Sequence, residues 1–170
     1  MIIIETTRLF LSELKIEDAS FILKLYNDPD FITYIGDKGI KTLQDAEKFI
    51  KTGPIQSYID HKHGLYLVQL KDNSPIGICG ILKREYLDFP DIGFAVLPKY
   101  RKKGFTFEAS KSIIEDVKNN TLFKKILAIT SPKNNASIRL LIKLGFIFKD
   151  IIKIEQNKNP VQLYTIHLDS

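Results

Sequence analysis

The chain has 170 residues, of which 44% are hydrophobic, 11% aromatic and 26% charged, which suits one packed domain spanning residues 1–170 and excludes collagen-like, low-complexity and wholly disordered chains. A single cysteine, Cys79, excludes an internal disulfide and a four-cysteine zinc site, and the start Met1-Ile2-Ile3-Ile4-Glu5 has no signal-peptide pattern, so a cytoplasmic protein without a membrane span is expected. The net charge is +5, and the whole excess lies between Lys99 and Lys125, where eight basic residues stand against three acidic ones; so local a cluster suits a compact anion such as a cofactor phosphate better than a nucleic-acid duplex.

In chain order, Arg8 to Leu14 alternates as a strand does, and Ala19, Ile22, Leu25 and Tyr26 follow at helical spacing. Asn27-Asp28-Pro29-Asp30 predicts the end of that helix. After a loop through Gly36 and Gly39, the capping-box pattern Thr42-Leu43-Gln44-Asp45 opens a second helix running to about Ile50. Leu65 to Leu70 and Pro75 to Leu82 flank the turn residues Lys71-Asp72-Asn73-Ser74 and predict a hairpin. Ile92 to Leu97 predicts another strand, and Phe105 to Asn119 a helix with Ala109, Ile113 and Val117 on one face. Ile126 to Thr130 is a short strand. Asn134 to Lys143 is a short helix stopped by Gly145, and Phe146 to Ile154 and Val161 to Leu168 are two closing strands. Seven strands and four helices so interleaved predict an α/β protein with one core.

The junction Leu97-Pro98-Lys99-Tyr100-Arg101-Lys102-Lys103-Gly104-Phe105 has the physics of an anion cradle. A helix start leaves backbone N–H groups unpaired at its positive dipole end, Gly104 permits a tight turn, and the basic side chains add attraction. Neither the Walker pattern GxxxxGK[ST] nor the dinucleotide fingerprint GxGxxG is present, so the phosphate bound here belongs to another ligand class.

The cradle resembles the acetyl-CoA-binding motif Q/R-x-x-G-x-G/A of the GNAT superfamily of N-acetyltransferases, with Arg101 and Gly104 matching and Thr106 where glycine or alanine is usual. Asn134-Asn135-Ala136-Ser137-Ile138-Arg139-Leu140-Leu141-Ile142-Lys143-Leu144-Gly145-Phe146 resembles the same family's N-x-A-S-I-R-L-L-x-K-L-G-F helix. Thr7-Arg8-Leu9, Asp18-Ala19, Pro75-Ile76-Gly77 and Asp91-Ile92-Gly93-Phe94 match in order, and the branch most resembled holds the RimJ/RimL-like ribosomal-protein acetyltransferases. The resemblance implies a mostly antiparallel seven-stranded sheet splayed between its fourth and fifth strands, with helices on both faces.

It also implies roles. The backbone of Ala95, Val96 and Leu97 is expected to hold the pantetheine arm of acetyl-CoA. The amides of Lys102, Lys103, Gly104, Phe105 and Thr106 are expected to hold the pyrophosphate. Asn134 is expected to bond a pantetheine amide, cap its own helix, or both. Acetyl transfer needs a neutral amine and a stabilised departing thiolate. Asp91 stands where many members hold a glutamate base; its shorter side chain suits action through a water, and the alternative is a strand-edge aspartate without a role. Glu85 and Glu155 are fallback bases. The position of the usual tyrosine acid holds Leu141, and Ser137 takes the place near the sulfur, the alternative being a helix serine bonded to its own backbone.

Tyr26, Phe31 and Tyr34 fall where the family builds its acceptor pocket, although such aromatics are often core. His61 and His63 are read as loop residues rather than metal ligands, and Cys79 as a core residue rather than a nucleophile. The expected reaction is acetyl transfer from acetyl-CoA to a primary amine, first the terminal amino group of a peptide or protein, by a monomer or homodimer. The alternatives are a small amine such as an aminoglycoside or polyamine, and a CoA sensor without turnover.

Overall fold

The fold is described here from a computed structural model for residues 1–155 and 157–168. Its strands are β1 (Ile2–Glu5), β2 (Leu9–Glu13), β3 (Leu65–Leu70), β4 (Pro75–Leu82), β5 (Asp91–Val96), β6 (Lys125–Thr130), β7 (Ile147–Ile152) and β8 (Val161–His167). They form one sheet in the order β1-β2-β3-β4-β5-β6-β8-β7, antiparallel throughout except between β5 and β6. The sheet therefore has eight strands where seven were expected. The additional one is the isoleucine run at the N-terminus, which pairs with β2 at the sheet edge and is mostly exposed, so burial imposes no alternation that would mark it in the sequence.

The helices are α1 (Ala19–Tyr26), α2 (Pro29–Tyr34), α3 (Leu43–Ile50), α4 (Gln56–His61), α5 (Phe105–Asn119) and α6 (Asn135–Leu144). Two differ from expectation. Pro29 begins a helix instead of closing one: it sits at the first helical position, where its missing N–H is no loss, and the Asp28 carboxylate caps the turn by accepting from the Phe31 N–H at 3.3 Å. Ile50 does not end α3 either. A π-helical turn over Lys51–Ile55, with Pro54 inside it, carries the chain on into α4. That helix stops at Lys62, whose backbone is left-handed at φ +63°.

The core lies on both faces of the sheet, and β3 shows how. Tyr66 and Val68 pack under α5 and α6 with Leu11, Ile113, Val117 and Leu141, while Leu65 and Leu67 face the opposite way toward Ile22, Leu25 and Ile50. Cys79 is buried beside Ser110, and burial pushes its thiol up to about 12, consistent with the core role expected of it. Among the described residues no helix is long and apolar enough to cross a membrane, and no group of three or more His, Cys, Asp or Glu side chains is placed to hold a metal.

The feature that positions the site is the seam between β5 and β6. The two strands run parallel and share a single register pair, Asp91 with Leu127, beyond which they separate. Near the mouth of the gap, the Leu97 N–H donates to the Ile76 carbonyl of β4 at 2.9 Å, and at its base the Leu127 N–H donates to Pro90 at 2.9 Å.

Candidate active site

Those two hydrogen bonds fix which backbone groups of β5 face the gap. In an extended strand successive residues present their N–H and C=O groups to opposite sides. The Leu97 N–H donates to Ile76 of β4, while its carbonyl accepts from the Tyr100 N–H, and Ala95 pairs with Ile78, so by alternation Phe94 and Val96 are the residues whose backbone points toward the opening. Of the residues expected at the pantetheine arm, Ala95, Val96 and Leu97, Val96 is the one whose backbone lies on the gap side of β5, together with Phe94. Gly77 on β4 tolerates this close pairing because a Cβ there would lie 2.3 Å from the Ala95 carbonyl oxygen.

Beyond β5 a short turn over Pro98–Tyr100 leads into the basic loop. Lys102 has φ +61° and Gly104 φ +81°, and such left-handed residues within a short loop curl it so that its amides converge, a nest for an anion. Among the described residues the amides of Lys102, Lys103, Gly104, Phe105 and Thr106 have no acceptor, and the first intrahelical bond of α5 runs from Glu108 to Gly104 at 3.0 Å. These are the amides expected at the pyrophosphate, and their unpaired state fits an anionic cofactor. The loop is braced from outside by Arg8. Its Nη1 donates to the Lys103 carbonyl at 3.0 Å, its Nε donates to Glu108 at 2.7 Å, and its guanidinium lies over the Phe105 ring.

Two cavities open on the splay. The smaller, about 400 Å³, is lined by the loop and the start of α5, with Lys102, Gly104, Phe105 and Thr106 on its wall. The larger, about 580 Å³, extends the other way and includes Tyr26, Phe49, Arg84 and Asp91. They meet at a shared wall that includes Phe31, Tyr34, Phe94, Ala95, Asn134 and Ser137. The expected residues are therefore sorted by place: the phosphate cradle at one end, Asp91 at the other, and Ser137 with Asn134 at the junction.

Asn134 caps α6, its Oδ1 accepting from the Ser137 N–H at 3.2 Å. Its Nδ2 makes no hydrogen bond among the described residues, so the side chain has a donor left for a ligand carbonyl while it caps. Ser137 is half-buried, with its hydroxyl on the helix turn that faces both cavities. Leu141, one turn on, is fully buried in the core, so the position of the usual tyrosine faces away from the site. Tyr164 is also core, donating to Gln162 at 2.8 Å, whereas Tyr100 lines the smaller cavity.

Asp91 is 0% exposed at the first residue of β5, the base of the gap. Burial raises its pKa to about 6, even though Arg84 lies against it and pulls the other way. The Arg84 Nε donates to both carboxylate oxygens, at 3.0 and 3.1 Å, and its Nη1 donates to the Tyr86 hydroxyl at 3.1 Å. Glu85 and Glu155 are exposed and line neither cavity, which leaves Asp91 as the carboxylate on the larger cavity's wall.

The sequence profile described as an acetyltransferase (GNAT) domain matches residues 8–147, which takes in the splay, the cradle, the smaller cavity and most of the larger one's wall. The chain belongs to the GNAT acetyltransferase family. A relative named uncharacterized N-acetyltransferase YoaA, from Bacillus subtilis, is 25% identical over 164 residues, covering 93% of this chain and 91% of its own. Among solved structures, RimL, a ribosomal L7/L12 alpha-N-protein acetyltransferase in complex with coenzyme A, superposes with a TM-score of 0.85 at 13% identity over 98% of each chain. A spermidine N-acetyltransferase SpeG chimera from Vibrio cholerae and hSSAT superposes with a TM-score of 0.78 at 16% identity, over 95% of this chain and 96% of that one. At such identities the likeness shows the GNAT fold, and it is shared by proteins whose named acceptors differ.

Within the GNAT frame, two residues of the site were not legible beforehand. Phe94 would have emerged from strand parity once the partner of Leu97 was known. Arg84 sits in the loop between β4 and β5, seven residues before Asp91, and matches no motif.

Proposed function

We propose that this GNAT domain transfers the acetyl group of acetyl-CoA to an α-amino group, that of a peptide or protein first, by direct attack. Acetyl-CoA supplies the thioester carbonyl and a thiolate leaving group. The cradle amides from Lys102 to Thr106, the backbone of Phe94 and Val96 and the Asn134 Nδ2 are the groups that would hold it. Asp91 takes the proton of the amine, through a water where the short side chain does not reach. The Ser137 hydroxyl donates a hydrogen bond to the sulfur.

The observation that bears on the choice of acceptor is that Asp91, the one carboxylate among the described residues on the larger cavity's wall, is held through both oxygens by the Arg84 Nε, a setting that suits an amine needing little help to lose its proton. An α-amino group has a pKa of about 7.7 to 8, whereas a lysine-like amine has one of about 10.4. Reaching the neutral, attacking form near neutral pH therefore costs the alkyl amine roughly 3 kcal/mol more than the α-amino group, whatever the base. A panel of N-terminally free peptides, aminoglycosides and polyamines, followed by CoA release, tests this. Peptides should lead in kcat/KM, and a polyamine or aminoglycoside in first place would overturn the choice.

A second reading rests on Leu141. With the usual acid position buried at 0% exposure, the fold is also compatible with a CoA sensor that does not turn over. Tight CoA binding without turnover of any amine would favour it.

A further inference from the structure

The larger cavity carries an imbalance of charge on its wall that the transfer reaction does not use. Lys38, Arg84 and Asp91 are its charged lining residues, two cations against one carboxylate. That carboxylate is already committed, since both of its oxygens accept from the Arg84 Nε. The Arg84 side chain is 30% exposed, and with Nε on Asp91 and Nη1 on Tyr86 its Nη2 has no acceptor among the described residues. Lys38 has no carboxylate within 4.0 Å among the described residues, because neighbouring Asp37 pairs with Lys41. Lys38 and Arg84 also feel one another: desolvation lowers the Lys38 pKa, and the charge of Arg84 lowers it further. A cavity that places two like charges together and leaves their donors open has the chemistry of an anion site. The remaining wall is largely aromatic, with Tyr26, Phe31, Tyr34 and Phe49.

We propose that the acceptor is an amine that also carries a carboxylate, bound at Arg84 Nη2 and Lys38 while its apolar part lies against the aromatic wall. This rests on the N-acetyltransferase reading and narrows its substrate. A polyamine or aminoglycoside meets two cations and no free carboxylate here, so the same groups select against it. An α-amino acceptor can bring the carboxylate in two ways, as the α-carboxylate of a free amino acid or as the side chain of an acidic residue near a peptide N-terminus. Arginine presents a planar fork that matches a carboxylate, and that shape favours the pairing over simple charge attraction.

The test has two arms. In the first, kcat/KM for CoA release is measured with phenylalanine against phenylalaninamide, and with the peptide amide Phe-Asp-NH2 against Phe-Asn-NH2. At least one carboxylate member should exceed its amide by tenfold or more, chiefly through KM, and the pair that shows it identifies the source of the carboxylate. Lys38→Met should reduce that acid-to-amide ratio at least fivefold. Equal ratios in the wild type, or a preference for spermidine, would overturn the proposal. In the second arm, 3-phenylpropionate and 3-phenylpropanamide, which have no amine, are titrated calorimetrically in the presence of CoA. The carboxylate should bind and the amide should bind at least fivefold more weakly, with the difference lost in Lys38→Met. Equal binding, or none, would remove the subsite even for a protein active on other amines. Carboxylate binding with no amine acetylated would instead leave the subsite standing and defeat the transfer reading.

Discussion

Arg101 reaches from the phosphate loop to Asp28 at the head of α2, its Nη2 donating to the Asp28 Oδ2 at 2.5 Å. The same oxygen accepts from the Phe31 N–H and so caps the helix that carries Phe31 and Tyr34. A second fork of Arg101 meets Asp30, and Nη2 also reaches the Val96 carbonyl at 3.3 Å. The motif arginine is therefore a tether between the cradle and a wall shared by both cavities, with its donors turned from the phosphates toward α2.

Arg101→Gln should accordingly disturb the acceptor as well as the cofactor. Asp28 is only 7% exposed in its side chain, and removing its partner leaves a nearly buried charge. Because Arg101 itself is about a third exposed, the loss of stability is expected at ~2 kcal/mol, below the range for fully buried pairs. Acceptor KM should rise at least threefold. A thermal midpoint and an acceptor KM both matching the wild type would show that the tether carries no load.

Gly104→Val is expected to weaken CoA by tenfold or more in isothermal titration. At φ +81° a β-branched residue is strained by about 1 to 2 kcal/mol, and a Cβ would meet the Arg8 guanidinium at 3.3 Å, disturbing the brace on the loop. Rising salt should weaken binding in the wild type as well, since the contacts are with phosphate charge. Salt-independent binding would argue against the cradle.

The two uses of Asn134 can be separated by choice of substitution. Asn134→Asp keeps an oxygen for the Ser137 N–H and should retain the thermal midpoint, yet it loses the Nδ2 donor and should bind CoA at least fivefold more weakly. Asn134→Ala should lose both, with a stability cost of about 1 kcal/mol. Equal CoA affinity in the aspartate variant would reduce Asn134 to a cap.

Ser137→Ala should lower kcat by roughly 10- to 100-fold and leave the CoA dissociation constant nearly unchanged. Each factor of ten is about 1.4 kcal/mol of transition-state stabilisation, within the yield of one hydrogen bond to a charged sulfur. Full turnover in this variant would pass the role to Tyr100, which lines the cofactor side, or to solvent.

The pH profile reports on Asp91. Its carboxyl must be ionised to accept a proton, so kcat/KM should fall as pH drops through about 6, in addition to the fall caused by protonation of the acceptor amine. Asp91→Asn should remove that limb and cost on the order of 100-fold in kcat. The sign for folding is opposite. A carboxyl whose pKa is raised in the folded state binds its proton more tightly there, so its contribution to stability is present below about pH 4 and is lost as pH rises toward 6. A wild-type profile with no break near 6 would remove Asp91 from the chemistry.

How much of this was legible in advance depended on whether a signal was local. The β3–β4 hairpin could be read because its turn residues are adjacent, with Asn73 taking the left-handed backbone the turn needs. The start of α5 could be read because Gly104 marks it. At Asp28-Pro29 the same residues serve to stop or to start a helix; here the Asp28 carboxylate caps α2, and it also accepts from Arg101, 73 positions away. Pro54 sits in a π-turn that re-routes the hydrogen bonds, which hid the continuation of α3 into α4. In the site, the cradle and α6 form contiguous motifs. Lys38 and Arg84 are brought together from two separate loops, and nothing in the spacing of either announces it.

The seam between β5 and β6 gives the molecule an interior sheet edge. Past Asp91 and Leu127, the backbone of Phe94 and the N–H of Val96 face a space instead of a neighbouring strand, the Val96 carbonyl being shared with Arg101, and such an edge is a template for an extended amide-bearing chain. On the proposed reading, the pantetheine arm of acetyl-CoA, with its two amides, is such a chain and would take the place of a strand in the gap. Catalyst and co-substrate would then complete one another's secondary structure, and release of CoA would reopen that edge.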